Sequence, residues 1–301
     1  MGELPQQLIN GLTLGSIYAL IALGYTMVYG VLRLINFAHG DIYMLGAFAG
    51  YYVARWLGFG AELSIFEVLV LLLSAMVFSA LAGAVIERIA YRPLRRAPRL
   101  TALITAIGVS LFLEYGGQLV FKTDPKAFPQ LANTDTALLR LGETVVGRQE
   151  VLTFAVAIIL LFVLWMIVYR TRVGKAMRAV SFDRETASLM GINTDAIILL
   201  TFVIGSAFAG AAGVLVAMQE PSITPMMGLL RGIKAFTAAV LGGIGSIPGA
   251  MVGGLAIGMT ETMVSGYWTS SYRDAVVFGV LIFMLLIRPS GLLGRGTVEK
   301  V

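Results

Sequence analysis

Residues 151–169 and 196–218 contain no charged side chain, and each segment is long enough to cross a hydrocarbon core about 30 Å thick as a helix. The whole chain is 58% hydrophobic and 13% charged, which is too apolar for a water-soluble domain. Six further apolar segments occupy residues 8–29, 37–54, 65–86, 100–121, 235–259 and 268–287. We therefore predict an all-α polytopic membrane protein with about eight apolar segments, in which residues 1–301 form a single transmembrane domain.

Scarce residue types exclude several kinds of site. The chain has no cysteine and one histidine, His39, which leaves no disulfide, no thiolate ligand and no histidine cluster for a metal. No pair of acids and no serine near a base stands out as catalytic. The net charge of +5 requires no nucleic acid, because the basic residues collect in loops. The first 32 residues lack Lys and Arg, so we expect the first segment to remain as a span rather than serve as a secretory signal.

The charges of the loops predict the orientation of the chain. Five arginines lie between residues 88 and 99, and five basic residues lie between residues 170 and 184. Both loops are expected on the cytoplasmic side, together with the C-terminus and its Arg288, Arg295 and Lys300, while residues 122–150 are expected outside. With one crossing for each of the first six segments, the N-terminus lies outside.

This parity requires the seventh apolar segment to turn back on itself. It is expected to form either a re-entrant pair of half-helices or two short spans. The turn is predicted at residues that interrupt a helix, namely Gly242, Gly243, Gly245, Pro248 and Gly249. Non-helical backbone at membrane depth is stable only where it is buried in protein or lines a watery cavity, so the turn is a candidate for the pathway of a transporter.

Charged groups at membrane depth are costly, and each one is a candidate for a function or a specific partner. His39 and Asp41 lie near the start of the second segment, and Glu114 lies about two-thirds of the way along the fourth. Arg273 and Asp274 precede a charge-free stretch, residues 275–287, that is too short to span the membrane alone. Arg273 either snorkels to the membrane surface or faces a pathway, and His39 is either a packed structural residue or a proton carrier.

Between the fifth and sixth apolar segments, the sequence changes to an amphipathic pattern. Residues 170–195 combine a stripe of small apolar residues with charged residues, as in a helix that lies against a partner. The alternative is a solvated connector between two spans. We predict a cytoplasmic coupling helix over residues 174–191, on which a protein outside the membrane docks.

The chain contains no phosphate-binding G-x4-G-K-[ST] motif. The nearest match, Val173-Gly174-Lys175-Ala176, lacks the first glycine and the hydroxyl group. If ATP drives this protein, we therefore expect another subunit to bind it and to press on the coupling helix.

Three sequence motifs carry a resemblance to a known family. They are R-L-I-N-F-A-H-G-D-I-Y-M-L-G-A from Arg33, G-K-A-M-R-A-V-S-F-D-R-E-T-A-S-L-M-G-I from Gly174, and K-A-F-T-A-A-V-L-G-G-I-G-S-I-P-G-A-M-V-G-G from Lys234. In this order they resemble the permease of bacterial branched-chain amino acid ABC importers, and most of all the shorter of two paired permeases. The general ABC-permease loop is only partly kept, because Glu185-Thr186-Ala187 precedes Gly191.

The resemblance implies an assembly in the bacterial inner membrane. Its expected partners, besides membrane lipid, are a second permease, two cytoplasmic ATP-binding subunits and a periplasmic protein that delivers leucine, isoleucine or valine. The chain itself is expected to be a transport subunit and not an enzyme. It is expected to need no cofactor, since the partner subunits bind the ATP.

We assign candidate residues to two roles on this basis. Coupling to the ATPase is predicted for Gly174, Arg178, Ala179, Asp183, Ala187 and Gly191. Arg178 and Asp183 are expected to supply polar contacts, and the two glycines are expected to end the helix. The translocation pathway is predicted to include Asn36, His39, Gly40, Asp41, Gly242, Gly243, Gly245 and Gly249.

Three other functions stay open at this point. A permease of the same family could carry urea, short amides or another small polar solute. An ion-driven secondary transporter would need a membrane-buried carboxylate relay, for which Asp41 and Glu114 are the candidates. An integral-membrane enzyme is disfavoured, because it would need a cluster of histidines and acids that one histidine cannot supply.

Overall fold

The computed structural model describes residues 4–95, 97–132, 137–141, 144–220 and 222–294. Arg96, Arg295 and Lys300, three of the basic residues that predict the orientation, lie outside these ranges. The described part of the chain is a bundle of α-helices with a few short strands at one end, which confirms the predicted all-α membrane fold.

The helices are α1 (Leu4–Leu32), α2 (His39–Trp56), α3 (Ile65–Ile86), α4 (Arg99–Phe121), α5 (Arg148–Arg170), α6 (Arg172–Phe182), α7 (Arg184–Leu189), α8 (Thr194–Gln219), α9 (Met227–Gly242), α10 (Ile247–Tyr267) and α11 (Arg273–Ile287). The strands are β1 (Glu62–Leu63), β2 (Lys126–Ala127), β3 (Gln130–Leu131), β4 (Ala137–Leu141), β5 (Thr144–Gly147) and β6 (Ser222–Ile223). A π-helical turn, Glu87–Tyr91, extends α3. Among the described residues, 7 helical segments are long and apolar enough to cross a membrane, and α2 and α9 complete the bundle.

The seventh apolar segment is broken, as the glycines and the proline predict. It forms α9 and α10, which run antiparallel, since Gly242 packs on Gly249 and Gly253 packs on the carbonyl group of Ala238. Gly243 (φ 103°) and Gly245 (φ 95°) make the turn, in a backbone region that favours glycine. The hydroxyl group of Ser246 then caps α10 by accepting a hydrogen bond from the N–H of Gly249 (3.2 Å). The two helices contain 16 and 21 residues, and both expected forms, a re-entrant pair of half-helices and two short spans, consist of two such helices.

The centre of the bundle is α1, which packs on α8, α9 and α10, while α11 is largely exposed. Glycines allow the closest approaches. Gly15 of α1 lies against Gly258 of α10, and Gly46 of α2 lies against Gly210 of α8. In lipid the hydrophobic effect does not drive helices together, so helix association depends on van der Waals packing. Small residues favour it because they let the backbones come into contact.

The two ends of the bundle differ in their secondary structure. At one end, β1 pairs with β3, β2 pairs with β6, and the N–H of Val145 in β5 donates a hydrogen bond to the side chain of Gln6 at the start of α1 (2.8 Å). At the other end, α6 contacts the end of α1 through a hydrogen bond from the Ser181 hydroxyl to the Gly30 carbonyl (2.5 Å). The loop expected outside and the segment expected in the cytoplasm therefore lie at opposite ends.

The connection between α1 and α2 enters the bundle instead of running over its surface. His39, the first residue of α2, packs on Gly24, which lies about 12 Å from the end of α1. Asn36 is buried before it, and its side-chain oxygen accepts a hydrogen bond from the Tyr91 hydroxyl (2.8 Å). The N-terminus of α2 is consequently held at membrane depth by protein groups, the arrangement that non-helical backbone requires there.

Candidate functional site

A cavity of about 190 Å³ lies between α2, α4 and α9, and it contains two acidic side chains. Asp41 is 1% exposed and Glu114 is 2% exposed. The Ser110 hydroxyl, one helical turn from Glu114, donates a hydrogen bond to Asp41 Oδ2 (2.5 Å). Asp41 Oδ1 and Glu114 Oε1 have no hydrogen-bond partner among the described residues. Two carboxyl groups thus face one small cavity with unused hydrogen-bonding capacity.

The rest of the cavity wall is apolar, aromatic and close to backbone. The rings of Tyr25, Phe37 and Phe236 line it, and so do residues of the first turns of α9. Gly40 of α2 lies against the carbonyl group of Gly228 and the Cα of Gly232, so α2 and α9 cross here with almost no side chain between them. No described residue that lines the cavity is basic.

His39 lies beside this cavity and is buried. Its ring packs edge-on to Tyr25, with 4.8 Å between the ring centroids, and neither ring nitrogen has a hydrogen-bond partner among the described residues. The ring of His39 is therefore packed within the bundle, but without a hydrogen bond among the described residues.

A buried ionic network joins α1, α9, α10 and α11. Lys234 Nζ lies 2.7 Å from Glu261 Oε1 and 2.6 Å from Asp274 Oδ1. The Tyr18 hydroxyl donates a hydrogen bond to Glu261 Oε2 (2.7 Å), and Arg273 Nε lies 3.7 Å from Glu261 Oε1. Asp274 therefore pairs within the bundle, whereas the half-exposed Arg273 lies at the edge of the network.

Residues 174–191, predicted as one coupling helix, form two helices, so the prediction of a continuous helix is wrong, while the coupling role stays a prediction. The segment forms α6 and α7, which are separated at Asp183. Asp183 has extended backbone, and its Oδ1 accepts a hydrogen bond from the N–H of Thr186 (2.9 Å), so it caps α7. The same backbone hydrogen bond lowers the pKa of the Asp183 carboxyl below its usual value. Because the Asp183 side chain accepts a hydrogen bond from an N–H group at the start of α7, α7 begins at this residue and α6 ends there.

The two glycines expected to end the helix have different positions. Gly191 follows α7 with φ 81°, a left-handed conformation at the end of a helix, as expected. Gly174 lies in the first turn of α6 and not at an end; its N–H donates a hydrogen bond to the Thr171 hydroxyl (3.0 Å). A side chain at Gly174 would collide with the carbonyl groups of residues 167 and 168, so this glycine allows the sharp corner between α5 and α6.

Large apolar side chains on α6 and α7 point away from the bundle. Phe182 is 89% exposed, Leu189 is 87% exposed and Met190 is 78% exposed. On the opposite side, Val180 and Ala187 are buried against the bundle. We call Phe182, Leu189 and Met190 the coupling patch, because exposed apolar residues of this size at the end of a membrane bundle indicate a surface that a partner covers.

The sequence of the chain matches a family model described as "Branched-chain amino acid transport system / permease component" over residues 7–285. It is 47% identical to the high-affinity branched-chain amino acid transport system permease protein BraD of Pseudomonas aeruginosa, over 98% of this chain and 97% of BraD. The chain belongs to the branched-chain amino acid permease family. It is also 45% identical to the permease protein LivH of Escherichia coli K12, over 98% and 97% of the two chains. A probable LivH of Methanocaldococcus jannaschii is 32% identical over 93% of this chain and 89% of its own.

This permease places its predicted pathway residues in two groups. Gly40 and Asp41 line the cavity, with Asn36 and His39 packed directly before them. The other group, Gly242, Gly243, Gly245 and Gly249, forms the turn between α9 and α10 near the end of α1, where Gly245 approaches Gly30. The chain after α11 covers that turn, because the N–H groups of Leu292 and Leu293 donate hydrogen bonds to the carbonyl groups of Leu241 (2.8 Å) and Gly242 (2.9 Å).

The predicted coupling residues of the permease lie on or next to the two short helices. Gly174, Arg178 and Ala179 are on α6, Ala187 is on α7, Asp183 lies between them, and Gly191 is two residues after α7. Ala187 is buried, and Ala179 is half-buried on α6. The guanidinium group of Arg178 donates a hydrogen bond to the carbonyl group of Val168 and lies over the ring of Tyr169, 5.5 Å from its centroid. Arg178 therefore fastens α6 to α5, in addition to any contact that it makes outside the chain.

Sequence reasoning missed several residues that the permease brings together. Lys234 and Glu261 were not singled out, although they lie at the two edges of the apolar segment 235–259, where oppositely charged residues can pair once that segment folds back on itself. Phe182 was also missed, although it is the largest member of the coupling patch. At the same end of the bundle, Arg95 forms ion pairs with Glu87 and Asp195, which join the end of α3 to the start of α8.

Proposed function

We propose that this permease conducts branched-chain amino acids across the bacterial inner membrane as one subunit of an ATP-driven importer. Its partners in this proposal are a second permease, two cytoplasmic ATP-binding subunits and a periplasmic binding protein. The names of relatives that are 45% and 47% identical over nearly their whole length support the substrate class and the role as a permease.

The coupling patch is the observation that carries the mechanism. Phe182, Leu189 and Met190 are exposed on two short helices that lie outside the membrane-spanning part of the bundle. Residues of this type are favoured at the buried centre of protein interfaces and are unfavourable in water. An ATP-binding subunit seated on this patch would move α6 and α7 when it closes on ATP, and α6 would pass the movement to α1 through the Ser181–Gly30 contact.

The pathway in this proposal runs past the N-terminus of α2. The acidic cavity lies there at membrane depth, and the glycine turn between α9 and α10 lies near the cytoplasmic end of α1. A broken helix and a helix that begins inside the bundle are the elements at which transporters commonly place their binding sites. The chain needs no cofactor for this role, and the partner subunits supply the energy of ATP.

Reconstitution tests the proposed function. The tagged permease is expressed together with the genes that lie next to its own gene. It is purified with the proteins that bind it, and the complex is inserted into liposomes that contain ATP. We expect ATP-binding subunits and a second permease to purify with it, and we expect uptake of radiolabelled leucine that requires both ATP and the delivery protein. Uptake of leucine by the isolated chain, or a complete complex that transports urea but not leucine, would refute the proposal.

Asp183 offers a test of the coupling contact that separates charge from capping. Asp183→Asn keeps an oxygen that can accept the Thr186 N–H, whereas Asp183→Lys removes both the cap and the negative charge. If the charge contacts the ATPase, both variants are expected to weaken the binding of the ATP-binding subunits by about tenfold, the effect of losing one charged hydrogen bond, and so to lower the leucine transported per ATP. The measurement is uptake and hydrolysis in the same liposomes. Wild-type coupling in Asp183→Asn would show that Asp183 acts only as a cap.

A further inference from the structure

The acidic cavity combines three features: two carboxyl groups, the N-terminus of a helix and an apolar wall. Together they match the ammonium group, the carboxylate and the side chain of an amino acid. Asp41 and Glu114 supply buried carboxyl oxygens without partners, and aromatic rings stand around them. An ionised carboxylate that is buried away from water without a partner is strongly unfavourable. When a ligand excludes water from the cavity, each carboxyl group therefore needs a cation or a proton. A primary ammonium group has three N–H donors, which can be shared between two carboxyl groups, and it is attracted to aromatic faces.

A second feature of the cavity suits an anion. No side chain caps the N-terminus of α9, and Gly228 and Leu229 in its first turn line the cavity. The first turn of an α-helix presents N–H groups at the positive end of the helix dipole, which favours a carboxylate. The N–H groups of Met227 and Leu229 already donate to the carbonyl groups of Thr224 (3.1 Å) and Met226 (3.4 Å), so the N–H of Gly228 is the available donor of these three.

The third feature is the apolar wall between these two charged regions. Ile107, Leu111 and Ile233 line the cavity and are partly exposed, so they also form its opening. A volume of about 190 Å³ is below the roughly 300–1,000 Å³ of typical ligand pockets, which suits a small molecule held briefly and then released.

We propose that this cavity is a binding site for the transported amino acid, in which Asp41 and Glu114 hold the ammonium group. The first turn of α9 holds the carboxylate, and the aliphatic side chain lies against the apolar wall. The inference rests on the proposed function, because it concerns the amino acid that the permease conducts. It adds residues that select a zwitterion within the membrane, independently of the delivery protein.

The natural absence of cysteine makes a direct test possible, since one cysteine can be introduced without competing thiols in this chain. Leu111→Cys is made in the complete complex, which is placed in nanodiscs and treated with the small neutral reagent methyl methanethiosulfonate. Modification of this chain is followed by its intact mass. The probes are leucine, 3-methylbutylamine, which lacks the carboxylate, and 4-methylpentanoate, which lacks the ammonium group.

Leucine and the amine are expected to slow the modification of Leu111→Cys, and 4-methylpentanoate is not. Adding Glu114→Gln or Asp41→Asn is expected to raise the leucine concentration needed for protection by about tenfold, the effect of losing one charged hydrogen bond. The matched control is Asp124→Asn, which removes an exposed carboxyl three residues beyond the C-terminal end of α4, outside the cavity wall, and is expected to leave protection unchanged.

Two outcomes would overturn the inference. One is equal protection by leucine and 4-methylpentanoate, and the other is unchanged protection in both Glu114→Gln and Asp41→Asn. Either variant suffices if the other fails to assemble. ATP-driven leucine uptake by the unmodified complex is measured in parallel, so a failure of the proposed function is recognised separately from a failure of this site.

Discussion

Lys234→Met is expected to destabilise the bundle by about 3–5 kcal/mol, the cost of leaving a buried charge without its partner. Lys234 is the cation that lies between Glu261 and Asp274, and its removal leaves the buried Glu261 with the Tyr18 hydroxyl and the more distant Arg273. Water cannot replace the lysine in the interior of a membrane protein. We expect a large loss of folded protein, measured by thermal unfolding of the purified complex in detergent.

Two further variants identify the cause of that loss. Lys122→Met removes an exposed lysine at the end of α4 and is expected to change the unfolding temperature little. Lys234→Met combined with Glu261→Gln removes both charges of the pair, and it is expected to recover much of the stability lost in the single variant. Equal unfolding temperatures for Lys234→Met and Lys122→Met would contradict the prediction.

Replacing Phe182 and Leu189 together by serine is expected to abolish ATP-driven uptake while leaving the permease folded. Both side chains are almost fully exposed in this chain, so their loss removes no internal packing. Burial of a large apolar side chain in an interface contributes about 1.5–3 kcal/mol. Two such losses correspond to a decrease in affinity of about a hundredfold or more for the ATP-binding subunits. The measurement is the amount of ATPase that purifies with the tagged permease, together with leucine uptake.

Trp56→Ser is the matched control for the coupling patch. Trp56 is 84% exposed at the end of α2 that lies among the strands, away from α6 and α7. Its replacement is expected to leave the ATPase subunits bound. Normal binding of these subunits in Phe182→Ser with Leu189→Ser would show that the patch is not the docking surface.

The overall fold could be predicted because its signals are local in the sequence. Residues 151–169 and 196–218 correspond to α5 and α8 because long charge-free segments have one stable form in lipid. Gly243 and Gly245 predicted the break between α9 and α10, since both adopt backbone conformations that other residues avoid. The break at Asp183 was missed because an amphipathic pattern continues across it, and only the hydrogen bond to Thr186 turns a polar surface residue into a cap.

The candidate site depended on contacts that no local pattern contains. Asp41 and Glu114 could be named from their cost at membrane depth, but their meeting in one cavity depends on how α2 and α4 pack against α9. Lys234 and Glu261 pair across two antiparallel helices, whose register is set by close glycine packing along α9 and α10. The outward direction of Phe182 likewise follows from the end of α6 at Asp183, which was not predicted.

Leu292 and Leu293 donate backbone hydrogen bonds to the last carbonyl groups of α9. These bonds join the end of α9, the start of α10 and the segment after α11 into one unit. α10 begins at the turn that ends α9, and α11 leads into the segment that contains Leu292 and Leu293. A shift of α9, α10 or α11 alone would therefore break these backbone hydrogen bonds. A rocking motion of the permease is therefore expected to carry α9, α10 and α11 as a rigid body. Relative sliding is then expected where glycines bring backbones together, at the crossing of α9 over the first turn of α2 and between α1 and α10.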